Sequence, residues 1–162
     1  MDTEKKLSIY FDTSIPSHLF VEDRLDWMAY TWELWERCVA GEYEIFVSDV
    51  FFDELDRCPQ PKLDQMYEQL DLIEFERLKQ SDEVEELANK YVKMGVLTER
   101  KLNDCLHIAY AVTNDCDVVL SWNFSDIVND STRDGVKVVN AIGRYREIRI
   151  LSPEDFLKGR YK

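Results

Sequence analysis

The sequence predicts a three-layer α/β/α domain around a mostly parallel central sheet, and two observations carry that expectation. Short apolar runs recur along the chain, separated by longer stretches in which apolar residues return at helical spacing, a pattern that packs as strands joined by crossover helices. Two of the runs also end in polar residues that a parallel sheet would bring to one rim. Asp12 follows Leu7-Ser8-Ile9-Tyr10-Phe11, and Asn123 follows Asp117-Val118-Val119-Leu120-Ser121-Trp122. That rim is where α/β proteins place their chemistry.

The elements follow in order. After the turn Asp12-Thr13-Ser14-Ile15-Pro16, the residues Met28, Trp32, Trp35 and Val39 recur at helical spacing until Gly41, with Trp27 and Leu34 widening the apolar face. Tyr43 to Val47 alternates as a short strand. Ser48 caps a helix through Val50, Phe51, Glu54 and Leu55, which breaks at Cys58-Pro59-Gln60-Pro61. Lys62 to Leu70 reads as a short helix and Leu72 to Phe75 as a brief strand or extended link. Ser81 caps a helix with Asp82 and Glu83 in its first turn and Gly95 beyond its end. Thr98 is read as the cap of a helix with Leu102, Cys105, Leu106, Ala109 and Val112 on its apolar side. Beyond the strand ending near Trp122, Val136-Val138-Val139 and Ile148-Ile150-Leu151 read as two further strands. Ser152-Pro153-Glu154-Asp155 starts a final helix.

With 162 residues, 45% of them hydrophobic, the chain fits a single domain, 1–162, with a sizeable core. Its net charge of -13 would repel a polyanion if spread evenly, but it is not. Residues 133–162 hold eight basic and four acidic residues, +4, so residues 1–132 carry -17. The basic end is either an edge for nucleic acid or an acidic partner, or an ordinary solvated face. Cys38, Cys58, Cys105 and Cys116 lack C-x-x-C spacing and read as reduced, buried thiols. The polar start and the short apolar runs predict no signal peptide and no membrane span, hence a soluble, cytoplasmic protein.

Among 33 acidic residues, position must discriminate. Asp12 ends a strand, while Glu54 and Asp104 lie in helices flanked by Val50-Phe51-Phe52 and Cys105-Leu106. A partly buried carboxylate needs a partner. Mg²⁺ or Mn²⁺ supplies one through oxygen ligands, and Arg, Lys or a helix N-terminus supplies the alternative.

Several stretches together resemble the PIN-domain family of metal-dependent ribonucleases and VapC-type toxins. They are Tyr10-Phe11-Asp12-Thr13-Ser14, Val47 to Leu55, Leu102-Asn103-Asp104-Cys105-Leu106-His107-Ile108-Ala109, Leu120-Ser121-Trp122-Asn123-Phe124, and Ile148 to Phe156. No single motif is specific; their order and coverage are. The resemblance implies a PIN-like fold, Asp12, Glu54 and Asp104 as metal-binding acids, and Asn123 orienting water or contacting phosphate at a place where many relatives carry an acid. Ser14 resembles a hydroxyl supporting the first Asp, or is a plain turn residue. Asp126 reads as a solvated surface acid rather than a fourth site carboxylate, His107 as a packed, hydrogen-bonded residue rather than a general base, and His18 has no role. The aromatic residues Trp27, Trp32 and Trp35 read as core or partner contacts before base-stacking platforms.

The function expected is an endoribonuclease using Mg²⁺ or Mn²⁺ with RNA as substrate; the resemblance to VapC-type toxins further implies a toxin of a toxin–antitoxin pair, with an antitoxin as partner and a homodimer as its assembly. The basic end would form its RNA-facing rim. The alternative is a PIN-like protein-interaction module with little or no activity. A haloacid-dehalogenase-type phosphatase is set aside, because its second Asp would fall where Ser14 stands.

Overall fold

A computed structural model describes residues 5–160. Its strands are β1 (Ser8–Phe11), β2 (Glu44–Ser48), β3 (Phe75–Leu78), β4 (Val118–Leu120) and β5 (Arg149–Leu151). They form one sheet in the order β3-β2-β1-β4-β5, with every neighbouring pair parallel. The helices are α1 (Ser14–Ser17), α2 (Leu25–Val39), α3 (Asp49–Leu55), α4 (Lys62–Leu70), α5 (Asp82–Lys93), α6 (Leu102–Thr113), α7 (Asp130–Ile142) and α8 (Pro153–Leu157). Among the described residues no helix is long and apolar enough to cross a membrane.

The three layers follow from strand alternation. Successive side chains of a strand point to opposite faces. Ile9, Phe11, Ile45, Val47, Val118, Leu120 and Leu151 thus join one core cluster, together with Leu34 and Trp35 of α2, Met66 and Leu70 of α4, and Phe156 of α8. Tyr10, Val119 and Ile150 face the other way, into a cluster completed by α5, α6 and α7. The central strands β1 and β4 are buried throughout, as a sheet covered on both faces requires.

Local signals set the helix ends. The hydroxyls of Ser48, Ser81 and Ser152 each accept a hydrogen bond from the backbone N–H three residues on. Gly41 and Gly95, at φ +78° and +82°, take the left-handed conformation that lets the chain leave α2 and α5. All four cysteines are free, and Cys38, Cys105 and Cys116 are buried.

Three expectations are corrected. Val136-Val138-Val139 is not a strand but the middle of α7, whose start is capped by Asn129 accepting from the Thr132 N–H. Thr132, Val136, Val139 and Asn140 are buried while Val138 is 55% exposed, a helical period that outweighs the β-propensity of three valines. The strand sought at Leu72–Phe75 lies at Phe75–Leu78. It pairs only with β2, and its edge position leaves Phe75, Glu76 and Arg77 exposed, so it lacks an apolar signature. Thr98 makes no side-chain cap bond; a 3₁₀ turn, Glu99–Lys101, leads into α6 instead.

The α7 assignment has a direct consequence. Val138→Ala should leave stability within about 0.5 kcal/mol of wild type. Val139→Ala should cost roughly 1.5 kcal/mol at ~0.8 kcal/mol per buried methylene. Urea unfolding followed by circular dichroism separates the two.

Candidate functional site

From β1 the chain steps outward to β2 and β3, then crosses back to β4 and β5, so the strand order reverses between β1 and β4. The crevice outside the carboxyl ends at such a reversal is the usual ligand site of an open α/β sheet. Pairing of Phe11 with Leu120 brings Asp12 alongside Ser121, and the Asp12 N–H donates to the Leu120 carbonyl at 3.4 Å. Asp12 is buried. Its Oδ2 accepts from Ser121 Oγ at 2.6 Å, and its Oδ1 accepts from the Ser14 hydroxyl at 2.5 Å and the Ser14 N–H at 3.1 Å. Burial raises this carboxyl above its ordinary value, opposed by the His107 charge and the two hydroxyls and reinforced by Glu54.

Glu54 comes from the last turn of α3, which β2 delivers to the same edge. Its Oε1 accepts from Thr13 Oγ1 at 2.8 Å and from His107 Nε2 at 2.5 Å. His107, fully enclosed on α6, meets the Tyr10 hydroxyl through Nδ1 at 2.7 Å, and that hydroxyl lies 2.6 Å from Ser48 Oγ. Burial pulls the His107 pKa down, but the Glu54 hydrogen bond and the charges of Glu54, Asp12 and Asp104 outweigh it and raise the group. The protonated form of His107 would donate from both nitrogens, to Glu54 and to the Tyr10 oxygen, leaving the Tyr10 hydroxyl to donate to Ser48. Burial likewise works to raise Glu54, and the hydrogen bonds and charge of His107, then Thr13 and Asn103, hold it below its ordinary value.

Asp104, in the first turn of α6, has no such support. Burial pushes it up to about 6, with Asp126, Asp12 and Glu54 adding to the rise and His107 opposing it. The rim is therefore a set of carboxylates that repel one another, with a single buried imidazolium against them among the groups acting on Asp104. Among the described residues no group of three or more His, Cys, Asp or Glu side chains is placed to hold a metal ion. An all-oxygen, open arrangement of this kind fits a hard divalent ion that keeps several of its waters and takes one or two carboxylates.

Asp12, Glu54 and Asp104 are thus brought to one edge. Asn123 reaches the same rim, but its Oδ1 accepts from Ser125 Oγ at 2.9 Å and the Asp126 N–H at 3.1 Å, which shapes the loop after β4. Ser14 supports Asp12 and also accepts from the Trp122 N–H at 2.8 Å, tying the two strand ends together. Asp126 is not a freely solvated acid: it is 18% exposed, pairs with Lys101 at 3.0 Å and acts on Asp104. His18 has partners, the Ser14 carbonyl at 2.8 Å from Nδ1 and the rings of Trp27 and Trp122. The basic end does not rim the site. Arg133, Lys137, Arg149 and Arg160 line a separate cavity of about 430 Å³ beside edge strand β5, which none of the three acids reaches. Lys137, Arg146, Lys158 and Arg160 are spent on surface ion pairs. The parts that Thr13, Ser121 and Tyr10 play here escaped sequence reasoning, as did the bond of the capping Ser48 to Tyr10. For Ser121 the strand register is the signal; a tyrosine inside a strand carries none.

A PIN-domain family model matches residues 9–123, and the chain belongs to the PIN-domain family, whose members are generally nucleases. No curated protein sequence matches it significantly. Among solved structures it is similar to a chain in the crystal structure of VapBC2 from Rickettsia felis bound to a DNA fragment from their promoter. The two share 14% identity and a TM-score of 0.51 over 90% of this chain and 98% of that one, a likeness of fold.

Two outcomes follow from this geometry. Because the folded pKa of Asp104, about 6, lies above that of an unfolded aspartate, its ionisation opposes folding. In metal-free protein Asp104→Asn should therefore raise the melting temperature at pH 7, with the gain shrinking as pH falls through 6 and gone below about 4. Tyr10→Phe should cost about 1–3 kcal/mol in chemical denaturation, since it strips a buried partner from His107.

Proposed function

We propose that this PIN domain is a divalent-metal-dependent endoribonuclease that hydrolyses phosphodiester bonds of single-stranded or loop RNA. The observation that supports the reading is that Asp12, Glu54 and Asp104, carried on three different segments, act on one another electrostatically beside the strand-order reversal of a PIN fold. Asp12, Glu54 and Asp104 would hold Mg²⁺ or Mn²⁺ there, and the ion would supply positive charge beside the scissile phosphate and a more acidic water. The chain's own residues prepare that event. Ser14 and Ser121 fix the Asp12 carboxylate, and the Tyr10–His107 pair fixes Glu54, so neither has to be ordered when substrate arrives. Asp104, the least compensated acid, has the most to gain from a cation. Asn123 holds the adjoining loop and contributes a phosphate or water contact. Attack by water leaves a 5′-phosphate and a 3′-hydroxyl, whereas attack by the ribose 2′-hydroxyl would leave a cyclic phosphate.

The likeness to a VapBC2 chain supports a place in a toxin–antitoxin pair, with an antitoxin that presents basic residues to the acidic rim and with the protein as a homodimer. The buried thiols suit the reducing cytoplasm. Expression should arrest growth, and Asp104→Asn should relieve the arrest.

A second reading, a PIN-like interaction module with little activity, is favoured by the -17 charge of residues 1–132, which repels RNA. One experiment decides between them: purified protein with end-labelled RNA in Mn²⁺, Mg²⁺ or EDTA, beside Asp12→Asn and Asp104→Asn. The nuclease reading expects metal-dependent cleavage with 5′-phosphate ends, falling to background in both variants. Absence of cleavage, with no rise in melting temperature on adding Mn²⁺, would leave the interaction module.

A further inference from the structure

We propose that Phe124 is a stacking platform for a nucleobase of single-stranded RNA, seated beside the acid rim; the inference rests on the nuclease reading and deepens it by naming how a nucleotide next to the cleaved bond is held.

A single exposed aromatic is ordinarily unremarkable. Phe124 differs in how it is supported. It directly follows Asn123 in the loop beyond β4 and is 41% exposed. Beneath it, the rings of Trp27 and Trp122 stack at 4.7 Å and 9°, and the Phe124 ring packs on both, at 5.3 and 6.2 Å. Trp122 is anchored by its Nε1–H donating to Thr31 Oγ1 at 2.9 Å, and the Arg24 guanidinium covers Trp27 at 3.6 Å. The backbone is pinned as well. The Phe124 N–H donates to the Trp122 carbonyl at 3.0 Å, and Asn129 Nδ2 donates to the Phe124 carbonyl at 3.0 Å. An apolar ring is thus held half in water on a rigid base, so stacking on it costs little ordering.

The shelf is continuous with the acid site. The Trp122 N–H donates to Ser14 Oγ, which holds Asp12, and the Asn123 N–H donates at 2.9 Å to Ser121 Oγ, which holds the other oxygen of Asp12. The loop that carries Phe124 is thereby tied through Ser14 and Ser121 to both oxygens of Asp12. Charge near the shelf is mixed, since Asp26 and Asp23 both act on Arg24. Lys62 Nζ donates to the Ser17 hydroxyl at 2.9 Å, and Arg24, paired with Asp26, lies on Trp27. Base stacking answers the difficulty raised by a net charge of -13, because it supplies affinity that does not depend on Coulomb attraction.

The test measures binding by fluorescence anisotropy with two labelled probes of equal length, oligouridylate and the same ribose-phosphate chain without bases. Ca²⁺ replaces Mg²⁺ as a hard, oxygen-seeking ion, and cleavage of the oligouridylate in Mn²⁺ is followed in parallel. Wild type, Phe124→Ala and Phe124→Trp are compared. Phe124→Ala should weaken oligouridylate binding about 5- to 150-fold, leave the abasic probe unchanged, and be rescued by Phe124→Trp. Unchanged affinity for oligouridylate would overturn the platform and leave this face to a protein partner, while continued cleavage would keep the nuclease reading intact. Equal loss on both probes would assign Phe124 to the framework of the loop and overturn the platform too. If wild type neither binds nor cleaves oligouridylate or structured RNA, the nuclease reading falls and takes the platform with it.

Discussion

A carboxylate taken out of water must be compensated by hydrogen bonds, by a cation, or by taking up a proton, and the carboxyl edge of this sheet uses a different solution for each of its acids. Asp12 is buried and answered by hydroxyls from Ser14 and Ser121. Glu54 is answered by the enclosed His107, whose pKa it raises. Asp104 is answered incompletely and is pushed up to about 6. The remaining deficit of positive charge is what an added cation would remove, so the feature that costs stability in the free protein is the one on which the proposed metal dependence rests.

That arrangement depends on the parallel sheet rather than on any one loop. Parallel pairing of β1 with both β2 and β4 aligns three strand ends, so Asp12, the start of α3 and the Ser121–Asn123 segment reach one level. The two faces of β1 then divide the work. Phe11 enters the core beneath α2, while Tyr10, one residue earlier, points to the opposite face and supports His107. A shift of one residue in register would exchange these faces and separate both networks from the acids they hold.

The aromatic cluster on the α1–α2 side plays the complementary part. Trp27, Trp122 and His18 join α2, the loop after β4 and the end of α1 into one packed unit. Rigidity of that loop matters because Asn123 and Asp126 sit on it with Phe124. The basic C-terminal segment is occupied with its own ion pairs beside β5. The site therefore takes little from the C-terminal cationic segment.

Much of this was legible in the sequence because it is local. The alternation of apolar runs with helical periods, the serine caps at Ser48, Ser81 and Ser152, and acids placed at a strand end or against apolar helix residues are all written in neighbouring positions. They gave the α/β/α layers and the three candidate acids. What the chain alone misread was decided by packing across large sequence separations. Val136-Val138-Val139 became helix because one face of α7 fits the α5–α6 side of the core, and β3 is strand because β2 offers it an edge. Asp126 is not freely solvated because the loop after β4 brings it to Lys101. Ser121, Tyr10 and Ser48 acquired their roles from register and from the face each strand residue takes. Propensity and capping act within a few residues and can be read one segment at a time, but hydrogen-bond partners and desolvation are properties of the assembled sheet, and only the tertiary structure fixes them.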